Sequence, residues 1–180
     1  MSDTFSKRFE GKVALIAGGA HAIETSVMGF AGLAALEMAR GGGKIMIGDI
    51  DDAAGEQSVK NMREEGLTAD YSHLDVTSES DWISVVQKTS SLHGHLDIMI
   101  MAAGINNRGE TIETVTVPKW RQVMDVTNLG MFLGVRSVAP KMRESGGGSI
   151  VLISSMMAKI THNQANAYAT SRAGMTHFAR

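Results

Sequence analysis

Apolar residues in this chain gather into short runs, separated by longer stretches in which they recur at helical spacing. Val13-Ala-Leu-Ile-Ala17 is an unbroken apolar run and predicts a buried strand. A helix is predicted from about Gly29 to Arg40, where Gly41-Gly-Gly43 stops it. Lys44 to Gly48 reads as a second strand ending at Asp49, and Asp51 or Asp52 can cap a helix that runs to about Glu65. Thr68 to Leu74 predicts a third strand. Ser78-x-x-Asp81 resembles a capping box, so a helix follows from about Glu79 to Leu92. Leu96 to Met101 is a fourth strand. Pro118 suits a helix first turn, and Trp120, Val123, Met124, Met131, Val135, Val138 and Met142 then lie on one face of a single long helix. Ser149 to Ser154 is the fifth strand, and a last helix begins near Asn166 and still runs at Arg180. Strands alternating with helices predict an α/β fold, a doubly wound parallel sheet in one domain spanning residues 1–180. Ligands of such a sheet bind at the carboxyl ends of its strands.

Composition narrows the function. Seventeen Lys+Arg against nineteen Asp+Glu give a formal charge of -2, without the basic excess of a nucleic-acid reader. With no cysteine, disulfides, thiolate metal sites and a cysteine nucleophile are excluded. No apolar run suggests a membrane span, and the polar N-terminus lacks the pattern of a signal peptide, so the expected location is cytoplasmic. His93-Gly-His95 has no partners at metal spacing and reads as a turn. The thirteen methionines are scattered among core positions, where packing explains them.

Four stations carry candidate chemistry. The turn Ala17-Gly-Gly-Ala-His21 lets backbone approach a pyrophosphate at a helix N-terminus, or is a simple glycine-rich turn. A regular spacing would need glycines at Ala22 and Glu24, so an inserted loop is expected, with Gly29 beginning the second glycine group. Asp49 can accept from both hydroxyls of an adenosine ribose and repel a 2′-phosphate, which favours NAD over NADP; alternatively it is a helix cap. Asp75 can accept from an adenine amino group or serve as a turn aspartate. Ser155 follows a strand end, and Tyr168 and Arg172 share a helix face. A phenol titrates near ~10, and a fixed cation favours its charged form. A tyrosine so placed can exchange a proton with a carbinol oxygen that the serine holds. The alternative is a surface tyrosine and an unrelated arginine.

In this order the stations resemble the short-chain dehydrogenase/reductase family. The similar segments are Gly11 to Ala20, Gly48-Asp49, Leu74-Asp-Val-Thr77, Leu96-Asp-Ile98, Ala103-Gly104, Gly148 to Ser155 and Tyr168-Ala-Thr-Ser-Arg172. The resemblance implies a Rossmann-like sheet of order 3-2-1-4-5 and hydride transfer between NAD(H) and a secondary alcohol or ketone. Tyr168 would be the general acid/base, Ser155 would orient the carbonyl, and Arg172 would bind the nicotinamide ribose and favour the phenolate. Gly18, Gly19, His21 and Gly29 would hold the pyrophosphate. Asp75 and Val76 would meet the adenine, and Ala103 and Gly104 would line the ribose on the nicotinamide side. Helices near 120–142 and 166–180 would pair copies into a homo-oligomer.

Departures from the family are equally specific. Its Asn-Asn-Ala-Gly is here Met101-Ala-Ala-Gly104, and its mid-helix asparagine falls on Thr127, with Asn128 one step, about 100°, away. Its lysine is Arg172, which keeps the charge but does not give up a proton. The chain stops twelve residues after Tyr168, before the family's last strands and substrate lid. These departures support an alternative, a catalytically impaired remnant that binds a nucleotide or a partner chain without turnover. Met156, Met157 and Thr161 suggest a partly apolar substrate pocket.

Overall fold

The computed structural model describes residues 7–21, 29–160 and 163–180. The reading of Ala22, Glu24 and the inserted loop, and that of Thr161, lie outside them. Five strands form one parallel sheet: β1 (Val13–Ala17), β2 (Lys44–Asp49), β3 (Ala69–His73), β4 (Ile98–Met101) and β5 (Ser149–Leu152). Their order is β3-β2-β1-β4-β5, as the resemblance implied. Central β1 is buried along its whole length, because helices cover both faces of a parallel sheet.

Side chains alternate across a strand, and the core divides accordingly. Val13, Leu15 and Ala17 point to one face, with Met46, Met99 and Met101. There they pack on Trp82 and Val85 of α3 (Glu79–His93) and on Met131, Leu133 and Val138 of α5 (Gly130–Glu144). Ala14 and Ile16 point to the other face, with Ile45, Ile47 and Ile100. They meet Ala35 and Leu36 of α1 (Phe30–Arg40) and Val59 and Met62 of α2 (Asp52–Glu64).

The expected elements are all present, with three differences of physical origin. β4 begins at Ile98 rather than Leu96, because Asp97 accepts the Val13 N–H through its side chain, Oδ2, at 2.8 Å. β5 ends at Leu152; beyond it the Ile153 N–H still donates to the Met101 carbonyl, while the Ile153 carbonyl and the Ser154 hydroxyl both bond to Arg172 of α6 (Asn166–Phe178). The long helix divides into α4 (Val117–Met124) and α5, joined by a π turn over Asp125–Leu129. A π turn admits an extra residue and shifts which side chains face a neighbour. Here Thr127 is fully buried with an unpartnered hydroxyl, and Asn128 Nδ2 donates to the Ser171 carbonyl of α6 at 3.0 Å. Among the described residues, no helix is long and apolar enough to cross a membrane.

At the β3 edge, the Tyr71 hydroxyl lies 2.6 Å from Asp52 Oδ1 and 2.7 Å from the Asp49 carbonyl, two acceptors for its one proton. His73 Nδ1 lies 2.8 Å from Asp52 Oδ1, and its Nε2 lies 3.8 Å from Asp81. The Asp52 hydrogen bond raises the His73 pKa, whereas burial lowers that of His93 at the end of α3. A raised histidine pKa adds stability that is complete below the ordinary value near ~6.5 and is lost as pH rises through the raised value. A lowered one adds a cost that appears as pH falls below the ordinary value. Imidazole NMR titration is expected to give midpoints above the ordinary value for His73 and below it for His93. Coincident midpoints would contradict both assignments.

Candidate active site

The carboxyl ends of β1, β2 and β4 are tied together by backbone. Gly18 N–H donates to the Gly48 carbonyl at 2.8 Å, and the Ala102 and Ala103 N–H groups both donate to the Ala17 carbonyl, at 2.9 and 3.1 Å. Gly18 has φ +85°, and a Cβ there would lie 2.5 Å from Ala103 N. Only glycine fits both the conformation and the approach. The Asp49 carboxylate braces the turn, accepting from Ala20 N at 3.0 Å and from Asp51 N at 3.2 Å.

These strand ends open on a cleft of about 430 Å³. Gly18, Asp49, Asp75, Val76, Ala103 and Gly104 line it, six of the nine residues expected around a cofactor. The other three stand elsewhere. Gly19 is buried against Ile16, His21 is exposed, and Gly29 is the N-cap position of α1. Asp75 is held by its own turn, with Oδ1 accepting from Thr77 N at 2.9 Å and Thr77 Oγ1 at 2.8 Å. Val76 is fixed by Trp82, whose Nε1 donates to the Val76 carbonyl at 2.9 Å. Ile105, Gln122 and Val126 also line the cleft and carry no sequence signal.

A second cleft, about 560 Å³, lies beside the start of α6. It brings Ser155 and Tyr168 together, with Met156, Met157, Gln164 and Ala165. Ser155 precedes a short turn at Met156–Ala158, and its Oγ accepts from Met157 N at 3.2 Å. The same loop lines both clefts: Gly104 and Ile105 face the first, Asn106 and Arg108 the second.

Tyr168 is positioned by a residue the sequence reading missed. α6 has no side-chain cap of its own at Ala165. Instead Asn107, 2% exposed, accepts the Tyr168 N–H through Oδ1 at 3.2 Å. A helix leaves its first N–H groups unpaired, and Asn107 caps one from another loop. The Asn-Asn-Arg-Gly string marks a turn, but nothing local reveals that its partner lies 61 residues away.

Arg172 is 5% exposed and lines neither cleft. Its Nη1 donates to the Ile153 carbonyl at 2.7 Å, and its Cζ sits 4.9 Å from the Tyr168 ring centroid. Its Nη2 occupies the space that a Cβ on Gly104 would need. Its Nε has no partner, and it forms no ion pair among the described residues. None of the described residues forms a cluster of three or more metal-ligating His, Asp or Glu side chains.

Known proteins are similar to this chain in sequence and fold. The family description short chain dehydrogenase matches residues 12–180. The 3-alpha-(or 20-beta)-hydroxysteroid dehydrogenase of Mycobacterium tuberculosis is 38% identical over 151 residues, which are 84% of this chain and 54% of that protein. The cyclopentanol dehydrogenase of Comamonas testosteroni is 29% identical over 173 residues, 96% of this chain and 66% of that protein. The crystal structure of NAD+-bound xylitol dehydrogenase superimposes with a TM-score of 0.86 at 28% identity, covering 96% of this chain and 64% of that one. The chain thus spans about half to two thirds of the length of these proteins.

Replacing Asn107 by Ala removes the only side-chain cap that the described residues give the start of α6. The expected loss is about 1 kcal/mol of stability in urea unfolding, with a shift of the Tyr168 amide resonance. An unchanged midpoint and spectrum would show that the cap does not hold the helix.

Proposed function

The chain belongs to the short-chain dehydrogenase family, and from that premise we propose that it carries the catalytic half of an oxidoreductase that moves hydride between NAD(H) and a secondary alcohol or its ketone. The observation that supports this most is the joining of two clefts by one loop. One has the dinucleotide-type lining of Gly18, Asp49 and Asp75, and the other holds Ser155 and Tyr168. The names of the relatives, hydroxysteroid and cyclopentanol dehydrogenase, favour a secondary, alicyclic alcohol.

The first cleft fits a dinucleotide. Its carboxylates, Asp49 and Asp75, can accept from ribose hydroxyls and a base amino group, and the bare backbone at Gly18 admits close approach. No Lys or Arg lines it among the described residues. Two carboxylates without a cation disfavour a 2′-phosphate, which supports NAD over NADP.

When bound, the nicotinamide would donate or accept the hydride. The chain's own residues handle the oxygen and its proton. The Ser155 hydroxyl donates a hydrogen bond to the substrate oxygen and holds it near Tyr168. In reduction the Tyr168 phenol gives its proton to that oxygen, and in oxidation the phenolate takes it back. Arg172 keeps a positive charge behind the ring, with its Cζ 4.9 Å from the ring centroid. A guanidinium does not release its proton, so Tyr168 exchanges protons through the open cleft rather than through residue 172.

Two measurements test this reading. Tyr168→Phe is expected to lower NADH-linked turnover about 100-fold or more, while leaving NADH affinity within about twofold; retained turnover would remove the phenol from the mechanism. In fluorescence titrations, NADH is expected to bind more tightly than NADPH. Asp49→Asn should narrow that gap, and equal affinities in the unmodified chain would overturn the preference.

A further inference from the structure

We propose that the cleft holding Tyr168 selects substrates that carry a carboxylate, and that Arg108 recognises it. This deepens the proposed function and rests on it for the identity of the reacting oxygen. Arg108 is the only charged residue lining the cleft among the described residues. Its guanidinium forms neither an ion pair nor a side-chain hydrogen bond with any of them. Glu110, two residues on, does not line the cleft and forms no ion pair with Arg108. The lining is otherwise neutral: Asn106, Ser155, Met156, Met157, Gln164, Ala165 and Tyr168. A single uncompensated cation in a concave, partly apolar wall attracts anions.

The cation also stands on a fixed turn. Asn106 Oδ1 accepts the Arg108 N–H at 3.1 Å, and Gly109, at φ +91°, donates its N–H to the Gln164 carbonyl at 3.2 Å. Glu110 then bridges to Ala165, and Asn107 caps the Tyr168 helix. The turn is therefore tied on both sides of Arg108 to the backbone that carries Tyr168. A guanidinium presents two parallel N–H groups to a carboxylate, so it can fix one end of a substrate while Ser155 and Tyr168 meet the other. The two clefts share no lining residue, so Arg108 stands apart from the Gly18 and Asp49 cleft that the proposed function assigns to the dinucleotide.

The test compares 3-oxocyclohexane-1-carboxylate with its carboxamide, which has nearly the same shape and no charge. Binding is measured by ligand-observed NMR with and without NADH, and reduction by NADH absorbance. The carboxylate is expected to bind about tenfold more tightly than the amide. Arg108→Gln should erase that ratio, Arg108→Lys should keep part of it, and Arg108→Glu should invert it. Arg108 is exposed and unpaired, so these variants are expected to fold, and circular dichroism checks that they do. Equal affinities in the unmodified chain, a ratio that survives Arg108→Gln, or no binding of either compound would overturn the proposal. An Arg108-dependent carboxylate preference without reduction of either compound would instead sustain the anion subsite and defeat the hydride-transfer reading.

Discussion

The Ala17 carbonyl is where the architecture becomes a site. It accepts the N–H groups of both Ala102 and Ala103, so the chain leaving β4 is drawn across the end of β1. That approach is possible only because residue 18 has no side chain to meet Ala103. From this junction the chain leaves β1 toward one layer of helices and leaves β4 toward the other, which is the switch point of a doubly wound sheet. The cleft lined by Gly18, Asp49, Asp75 and Gly104 opens there because neighbouring connections diverge. A side chain at 18 would push β1 and β4 apart and remove the floor of that cleft.

The second cleft depends on α6, which is fastened from outside itself. Asn107 takes the Tyr168 N–H, Asn128 donates to the Ser171 carbonyl, and the Ser154 hydroxyl reaches the Arg172 carbonyl at 3.1 Å. Gly174 leaves the room that the Asn128 amide needs, since a Cβ there would lie 2.8 Å from Nδ2. Three elements far apart in sequence therefore set the height and rotation of one helix. The π turn belongs to this fastening: within it Asn128 reaches α6, while Thr127 is fully buried. The asparagine that lies one step out of place along an ideal helix thus acquires a role through the distortion of that helix.

What the sequence made legible follows from how local the cause was. Buried β1 could be read from Val13 to Ala17 because burial on both faces leaves an unbroken apolar run. The Ser78 cap of α3 and the left-handed Gly94 at its end are also local, and each is a residue type chosen for its own backbone. That Asp49 and Asp75 line one cleft and Ser155 and Tyr168 another could be expected, because each stands at a strand end or on a helix face that the pattern fixes. The π turn, the Asn107 cap and the early end of β5 could not. Each coincides with a contact to α6, and no periodicity records a partner so distant in sequence. Gly29 was legible as a helix start and stands as the N-cap of α1; it is not among the residues lining the first cleft.

Arg172 shows how a single substitution is accommodated. Burying a guanidinium is costly unless its donors and charge find partners. Here the Ile153 carbonyl takes one donor and the face of the Tyr168 ring takes the charge. Gly104 provides the space, because Nη2 lies where any larger residue would place its Cβ. The Arg172 Nε is buried without a partner. The result is a fixed cation behind the phenol, separated from the first cleft by the backbone at 104 that lines it. A lysine would carry its charge at the end of a flexible stem and could give up a proton, whereas this guanidinium does neither. A guanidinium fixed in this way leaves the proposed proton exchange to the Tyr168 phenol and the open cleft in front of it.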